Sequence, residues 1–380
     1  MTDVLIIGAG IVGASVAYWL KRLDPSLSVV LIERDRSFAK ASSALSASSI
    51  RQQFSSAVNI RMSQFGAEFL RERGIALEAR GYLYLGEESA LRAAHATQTA
   101  AGASIALLSR AQLRARFPWL QVDDIELGAL GLSGEGWFDG PALHASVLSE
   151  ARQRGAKLVE GDARGFELEN QRVKAVRLSD GTRVECRHAV NAAGPWARAL
   201  GTAAGIELPV YARRRTVFVL SCPQTLAGCP LVIDPSGFWF RPEGRHSDRR
   251  GAIYIAGTTP LTDEDDAPLE PDYREFDEAL WSRMAHRVPA FEALRVVRAW
   301  AGYYEMNVFD ANALIGAHPA IANLWFANGF SGHGMQHAPA AGRGIAELIV
   351  HGGFQTLDLS PLGLERVAKK HPFVERNVIG

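Results

Sequence analysis

Three cysteines in 380 residues, none in a Cys-x-x-Cys pair, leave no material for a disulfide framework or a thiolate zinc site. Neither charge is in excess: 41 Lys and Arg stand against 41 Asp and Glu. That balance excludes the basic stripe of a nucleic-acid binder. No internal repeat and no low-complexity tail is present. Val4 to Leu20 carries no charge, yet it is short for a bilayer span, has no basic flank, and is broken by Gly8, Gly10 and Gly13. Neither a membrane span nor a signal peptide is expected. With 47% hydrophobic and 22% charged residues, the chain has enough apolar material for two to three domain-sized units. A soluble globular protein in a reducing compartment, the cytoplasm, is the expectation.

Asp3 to Ile7 is an uninterrupted apolar run suited to a buried parallel strand. Val12, Val16, Leu20 and Leu23 then keep helical spacing up to Asp24-Pro25, and Ser28 to Glu33 is a second strand. This is a βαβ unit. A Ser/Ala-rich stretch, Ala41 to Ser49, precedes a helix with Val58, Met62, Phe65 and Phe69 on one face. A further helix opens near Pro141, and Lys157 to Val190 reads as a β-meander with turns at Asn170-Gln171 and Asp180-Gly181. Short strands follow at Thr216 to Leu220, Phe238 to Phe240 and Ile253 to Ile255. Thr262 to Asp272 is an acidic, exposed connection, and Phe276, Leu280 and Met284 mark an amphipathic helix. Leu324 to Ala327 is a last strand, running through glycines into a helix near Ala340 to Val350.

The first turn carries the strongest chemistry. Gly8-Ala9-Gly10-Ile11-Val12-Gly13 fits G-x-G-x-x-G between strand and helix, and Glu33 ends the next strand 20 residues after Gly13. Gly8 permits the tight turn, Gly10 a close approach to a pyrophosphate, and Gly13 helix–strand packing. The helix N-terminus holds phosphates, and Glu33 accepts from ribose hydroxyls. An NAD dehydrogenase would continue with more βα repeats. Here the parallel pattern is interrupted and returns only near the end, an order that suits FAD.

Four stretches resemble the D-amino-acid oxidase and dehydrogenase superfamily, in particular its sarcosine-oxidase-like and D-amino-acid-dehydrogenase-like members. They are Ile6 to Gly13, Ser42-Ser43 to Ser48-Ser49-Ile50-Arg51, Asn191 to Trp196, and Asn328-Gly329-Phe330-Ser331-Gly332-His333-Gly334. The resemblance implies an α/β fold, α+β overall, with a Rossmann-like FAD-binding domain (1–80, 140–210, 315–380) and an antiparallel-sheet substrate domain (81–139, 211–314). It implies FAD contacts from Gly8, Gly10, Ile11, Val12, Gly13, Glu33 and Arg34. Further contacts are expected from Ser42, Ser43, Ala47, Ser48 and Ser49, and from Ala163, Ala192, Gly194, Trp196 and Gly302. The last group is Gly329, Gly332, His333, Gly334, Met335 and Gln336. Amides of Gly332-His333-Gly334 at a helix start would favour the negative charge of a reduced flavin. His333 and His337 lie four apart, with neither an intervening Glu nor a third ligand evident, so no metal is expected.

Departures from the family pattern shape the chemistry expected. The stretch Trp300 to Met306 lacks the cysteine that tethers FAD in sarcosine-oxidase-like members, which implies noncovalent FAD. Strand alignment puts Tyr254 where those oxidases carry a lysine that assists oxygen, which implies a dehydrogenase. Arg51 matches a carboxylate-binding arginine. Gln336 stands where sarcosine oxidases have a second cation. Arg215 matches an arginine of D-amino-acid dehydrogenases, and Tyr304 replaces their second one. Trp239 is expected in the pocket or in the core. Arg51, Tyr254 and Gln336 are thus the catalytic candidates, and Arg51, Arg215, Trp239, Tyr304 and Gln336 the substrate-binding ones. The expected reaction is oxidation of the C–N bond of an amino acid or N-substituted amino acid by hydride transfer to the flavin. Electrons would leave to a quinone or an electron-transfer protein. Alternatives are a peroxide-forming oxidase, a FAD-retaining assembly or scaffold protein, and an NAD dehydrogenase.

Overall fold

The computed structural model describes residues 1–244 and 251–379. Residues 245–250 and 380, inside the ranges given above for the substrate and FAD portions, lie outside the described residues.

The N-terminal βαβ unit forms because Val4, Leu5 and Ile6 are apolar without interruption, which suits a strand covered on both faces. Thr2–Ile7 pairs in parallel with Val29–Glu33 on one side and Arg183–Asn191 on the other. Leu324–Asn328 adds in parallel to Arg183–Asn191, so the chain returns to this sheet after a long excursion. The meander is Ala163–Glu169, Arg172–Leu178 and Arg183–Asn191. Its first turn works because Asn170 and Gln171 both take positive φ, the geometry a tight hairpin requires. Lys157–Glu160, expected as part of that meander, instead pairs in parallel with Val29–Glu33.

The second sheet has eight strands, from Arg295–Asn307 and Val210–Cys222 at one end to Leu127–Gly131 and Ile105–Ser109 at the other. It is antiparallel except where Leu231–Ile233 runs parallel to Tyr82–Gly86. Its two faces alternate, as strand geometry demands, apart from a register irregularity where Arg295–Asn307 passes Val219 and Leu220. Phe218, Leu220, Phe240 and Tyr254 pack outward onto Leu280, Met284 and Phe291. Val217, Val219, Trp239 and Ile255 point the opposite way, toward the first sheet.

Two helices connect the sheets to the site. Ile11–Leu23 is buried almost throughout, and Gly334–His351 crosses it closely. A Cβ on Gly342 would lie 2.6 Å from Ser15. The second helix begins at Gly334 rather than near Ala340 and continues through Pro339. Burial of Ala338, Ala340 and Ala341 against the first helix outweighs the proline's lost backbone bond. The Pro339 carbonyl accepts from Trp19 Nε1 at 2.9 Å. The segment around Phe276 is a π-helical turn, Glu275–Leu280, that leads into Trp281–Arg287.

Candidate active site

A cavity of about 930 Å³ lies between the sheets, at the upper end of the range for small-molecule sites. Both the first glycine turn and the Gly332–Gln336 bend border it, although some 320 residues separate them in sequence. At the first turn Gly8 has φ +93°, and a Cβ there would meet the Ala192 carbonyl oxygen at 2.4 Å. Gly13 does not border the cavity. It packs on the Gly8 carbonyl, where a Cβ would stand at 2.0 Å. Ser43 Oγ accepts the Ile11 N–H and Glu33 Oε2 the Ala9 N–H, each at 2.9 Å. Among the described residues, the Gly10 and Val12 amides find no acceptor. They are free to receive an anion at the positive end of a 13-residue helix. Buried His144 fixes the turn from behind, its Nε2 lying 2.8 Å from the Ala9 carbonyl.

Along the wall, Ser42, Ala47, Ser48 and Ser49 all border the cavity, as do Ala163, Ala192 and Gly194. Arg34 lies 3.5 Å over the Trp196 ring, so the two form one stacked edge of it. At the far end the helix Gly334–His351 begins, and the first-turn amides of Gly334, Met335 and Gln336 have no acceptor among the described residues. Gly332 takes φ +89°, and a Cβ there would strike the Tyr304 ring at 2.5 Å. Glu305 borders the cavity beside this helix start and accepts the Gly329 N–H at 3.0 Å. Burial pushes its carboxyl up to about 8. Gly329 itself does not border the cavity and serves this contact through its amide.

Arg51 borders the cavity but is only 1% exposed. Its guanidinium stacks 4.0 Å over Phe54 and donates to the carbonyls of Gln53 (2.5 Å) and Asn377, while His333 Nε2 lies at 3.0 Å. No carboxylate among the described residues pairs with it. Burial and the nearby guanidinium hold His333 well below the usual histidine range, so it is a neutral acceptor. His337 is pushed down to about 3 by the same causes, its Nε2 3.0 Å from Ser63 Oγ. Gln336 Oε1 accepts from the Arg51 amide (2.9 Å) and Ser63 Oγ (3.1 Å), which leaves its Nε2 for the cavity.

Arg215 also borders the cavity, but Asp263 neutralises it at 2.7 Å. Asp263 comes from the acidic connection, which folds back over the strand. Trp239 and Tyr304 border the cavity. Tyr254 does not. It is fully buried on the outward face, where its hydroxyl accepts the Leu226 N–H at 2.9 Å. Strand alternation gives its neighbour Ile255 the inward position instead. A buried cation does lie behind the Ser/Ala loop, outside the cavity lining: Arg241 donates to the Ala47 carbonyl at 2.9 Å and pairs with Glu243 at 2.5 Å. Sequence reasoning missed Glu305, Tyr82 and Ile379, which border the cavity. Glu305 sits within a stretch already singled out, but nothing local marks Tyr82 or Ile379.

Residues 3–348 match the family described as FAD dependent oxidoreductase (DAO). The chain belongs to that family. It is 39% identical to "FAD-dependent oxidoreductase domain-containing protein 1" of Xenopus laevis, over 99% of this chain and 85% of that one. Glycine oxidase of Geobacillus kaustophilus is 26% identical, over 96% and 97%. The crystal structure of L-proline dehydrogenase from P. horikoshii superposes with a TM-score of 0.86 at 26% identity, covering 98% of this chain and 99% of that one. Family members use FAD, and the residues present suit it. The unpaired amides at two helix starts and the glycine cradle that a Cβ would fill are features a phosphate-bearing planar cofactor requires. Among the described residues, no helix is long and apolar enough to cross a membrane, and no group of three His, Cys, Asp or Glu side chains is placed to hold a metal.

Proposed function

We propose that this DAO-family oxidoreductase removes hydride from the carbon bearing nitrogen in an amino acid or N-substituted amino acid. The observation that carries the proposal is Arg51, a cation buried in a cavity wall with no acidic partner among the described residues. Such a charge is costly unless an anion meets it. A substrate carboxylate supplies that anion, and a guanidinium fixes its plane as well as its charge. FAD, when bound, supplies the hydride acceptor. The protein's part is to bind and orient: Arg51 anchors the carboxylate, Gln336 Nε2 offers a neutral donor beside it, and Trp239 and Tyr304 wall the pocket. Arg215 is a weaker second anchor because Asp263 already neutralises it.

In this reading the FAD is held noncovalently. None of the three cysteines borders the cavity, and Gly302 occupies the wall in the stretch where the resemblance to sarcosine-oxidase-like members would put a tethering cysteine. Electron delivery to a quinone or a protein, rather than to oxygen, draws its support from the inward face of the second sheet. There Val217, Trp239 and Ile255 are apolar, with no lysine among them. Arg241 behind Ala47 lends the oxidase alternative little weight, because Glu243 already pairs with it at 2.5 Å and it does not border the cavity. The relatives include proteins named as oxidases and as dehydrogenases. Three unpaired, buried thiols support a reducing compartment, the cytoplasm in this reading.

Anaerobic mixing of the FAD-loaded protein with D- and L-amino acids, sarcosine and proline tests the reaction. Bleaching of the flavin by at least one amino acid, with slow peroxide formation when air is the sole acceptor, is expected. Rapid peroxide formation would make it an oxidase. No bleaching by any amine, together with a stable protein partner on purification, would point to a scaffold instead.

A further inference from the structure

The segment after the last helices has no regular secondary structure, yet it is tied down residue by residue. Glu375 is buried with no cation partner among the described residues; its carboxylate accepts from the Ser55 amide at 2.8 Å, Ser55 Oγ at 2.7 Å and Asn59 Nδ2 at 2.9 Å. Its own amide donates to the Asp310 carbonyl at 2.9 Å. Arg376 N–H reaches Ser55 Oγ at 3.0 Å, and Asn377 Nδ2 reaches the Gln53 carbonyl at 3.1 Å. The Asn377 carbonyl accepts a hydrogen bond from the Arg51 guanidinium, and Ile379 then packs beside Tyr82 and Trp239 on the cavity wall. Ordering an irregular segment costs entropy, and this many specific bonds leading to a cavity indicate a built feature.

We propose that Arg376–Ile379 is a strap forming one wall of the substrate pocket, and that Ile379 sets the pocket's size limit next to the Arg51 anchor. The strap grips the same guanidinium that would hold the substrate carboxylate. Ile379 therefore stands at a fixed distance from that charge, where it meets whatever group the carboxylate carries. Small substituents pass beneath it and bulky ones meet its branched side chain. Glu375 is a positioning residue for the strap, acting through Ser55 and Asn59. The proposal rests on Arg51 as carboxylate anchor.

The test uses the full chain loaded with FAD and titrated with two probe acids, acetate and benzoate. Binding is read from the visible absorption change and from the rise in melting temperature, the second needing no flavin. The parent should favour acetate, and Ile379→Ala should tighten benzoate by about tenfold while acetate stays within about threefold. Glu375→Gln, which keeps the bulk but weakens the anchoring of the strap, should move selectivity in the same direction by less. An unchanged benzoate-to-acetate ratio in Ile379→Ala, or binding of neither acid to parent and variants, would overturn the strap. Arg51→Ala separates the two readings: acetate binding that survives there removes the anchor, while a selectivity shift in Ile379→Ala would leave the wall standing.

Discussion

The two sheets meet the cavity with different material. The first, mixed sheet offers it mostly backbone: the turn at Gly8, the free amides of Gly10 and Val12, and the helix start at Gly334. The antiparallel sheet offers side chains from alternate positions, with Trp239 and Val217 inward and Tyr254 and Phe218 outward. A site made of amides and small residues tolerates no added atom. One made of side chains changes by degrees, and changes identity whenever the register slips by one residue.

The contrast is broken most violently at Gly8. Gly8→Val introduces a branched side chain where even a Cβ would sit 2.4 Å from a carbonyl oxygen, in a backbone conformation valine avoids. The purified variant should carry no flavin by absorbance, whereas the parent is yellow. Next in size is the anchor. Arg51→Ala should weaken carboxylate substrates on the order of 100-fold in kcat/KM, and Arg215→Ala about tenfold or less because its charge is already shared with Asp263. Equal losses from the two would erase the distinction between an unpaired and a paired cation. The smallest effect belongs to the outward face. Tyr254→Phe leaves the Leu226 amide without its acceptor and should cost about 1–2 kcal/mol in denaturant unfolding, with flavin content and kcat unchanged. A large fall in kcat would restore Tyr254 to the site.

The same contrast explains what could be read from the residues in advance. The glycine turn, Glu33, the Ser/Ala loop and the Gly332–Gln336 bend are local patterns, legible from a few consecutive residues and their spacing without knowing what the rest of the chain packs against them. Tyr254 went astray because a short apolar strand such as Ala252 to Ile255 carries no signal for which residue faces inward; that choice is made by pairing with Val210–Cys222 and Phe238–Glu243. Lys157–Glu160 reads locally as part of the meander for a similar reason, since its partner Val29–Glu33 lies far back in sequence. The partners of Arg51 were equally hidden. Asn377 comes from the other end of the chain, and the acid that neutralises Arg215 comes from a connection with no periodicity of its own. Pro339 concealed the first turns of the last long helix, because the helix is carried through the proline by packing rather than by propensity.

Whether one flavin joins the two sheets is decided most directly by acid denaturation of the purified full chain, followed by quantification of flavin in supernatant and pellet. One FAD per chain, all of it released, is the expected result. A colourless protein that takes up no added FAD would contradict the shared cavity, and flavin that stays with the precipitated chain would contradict noncovalent binding.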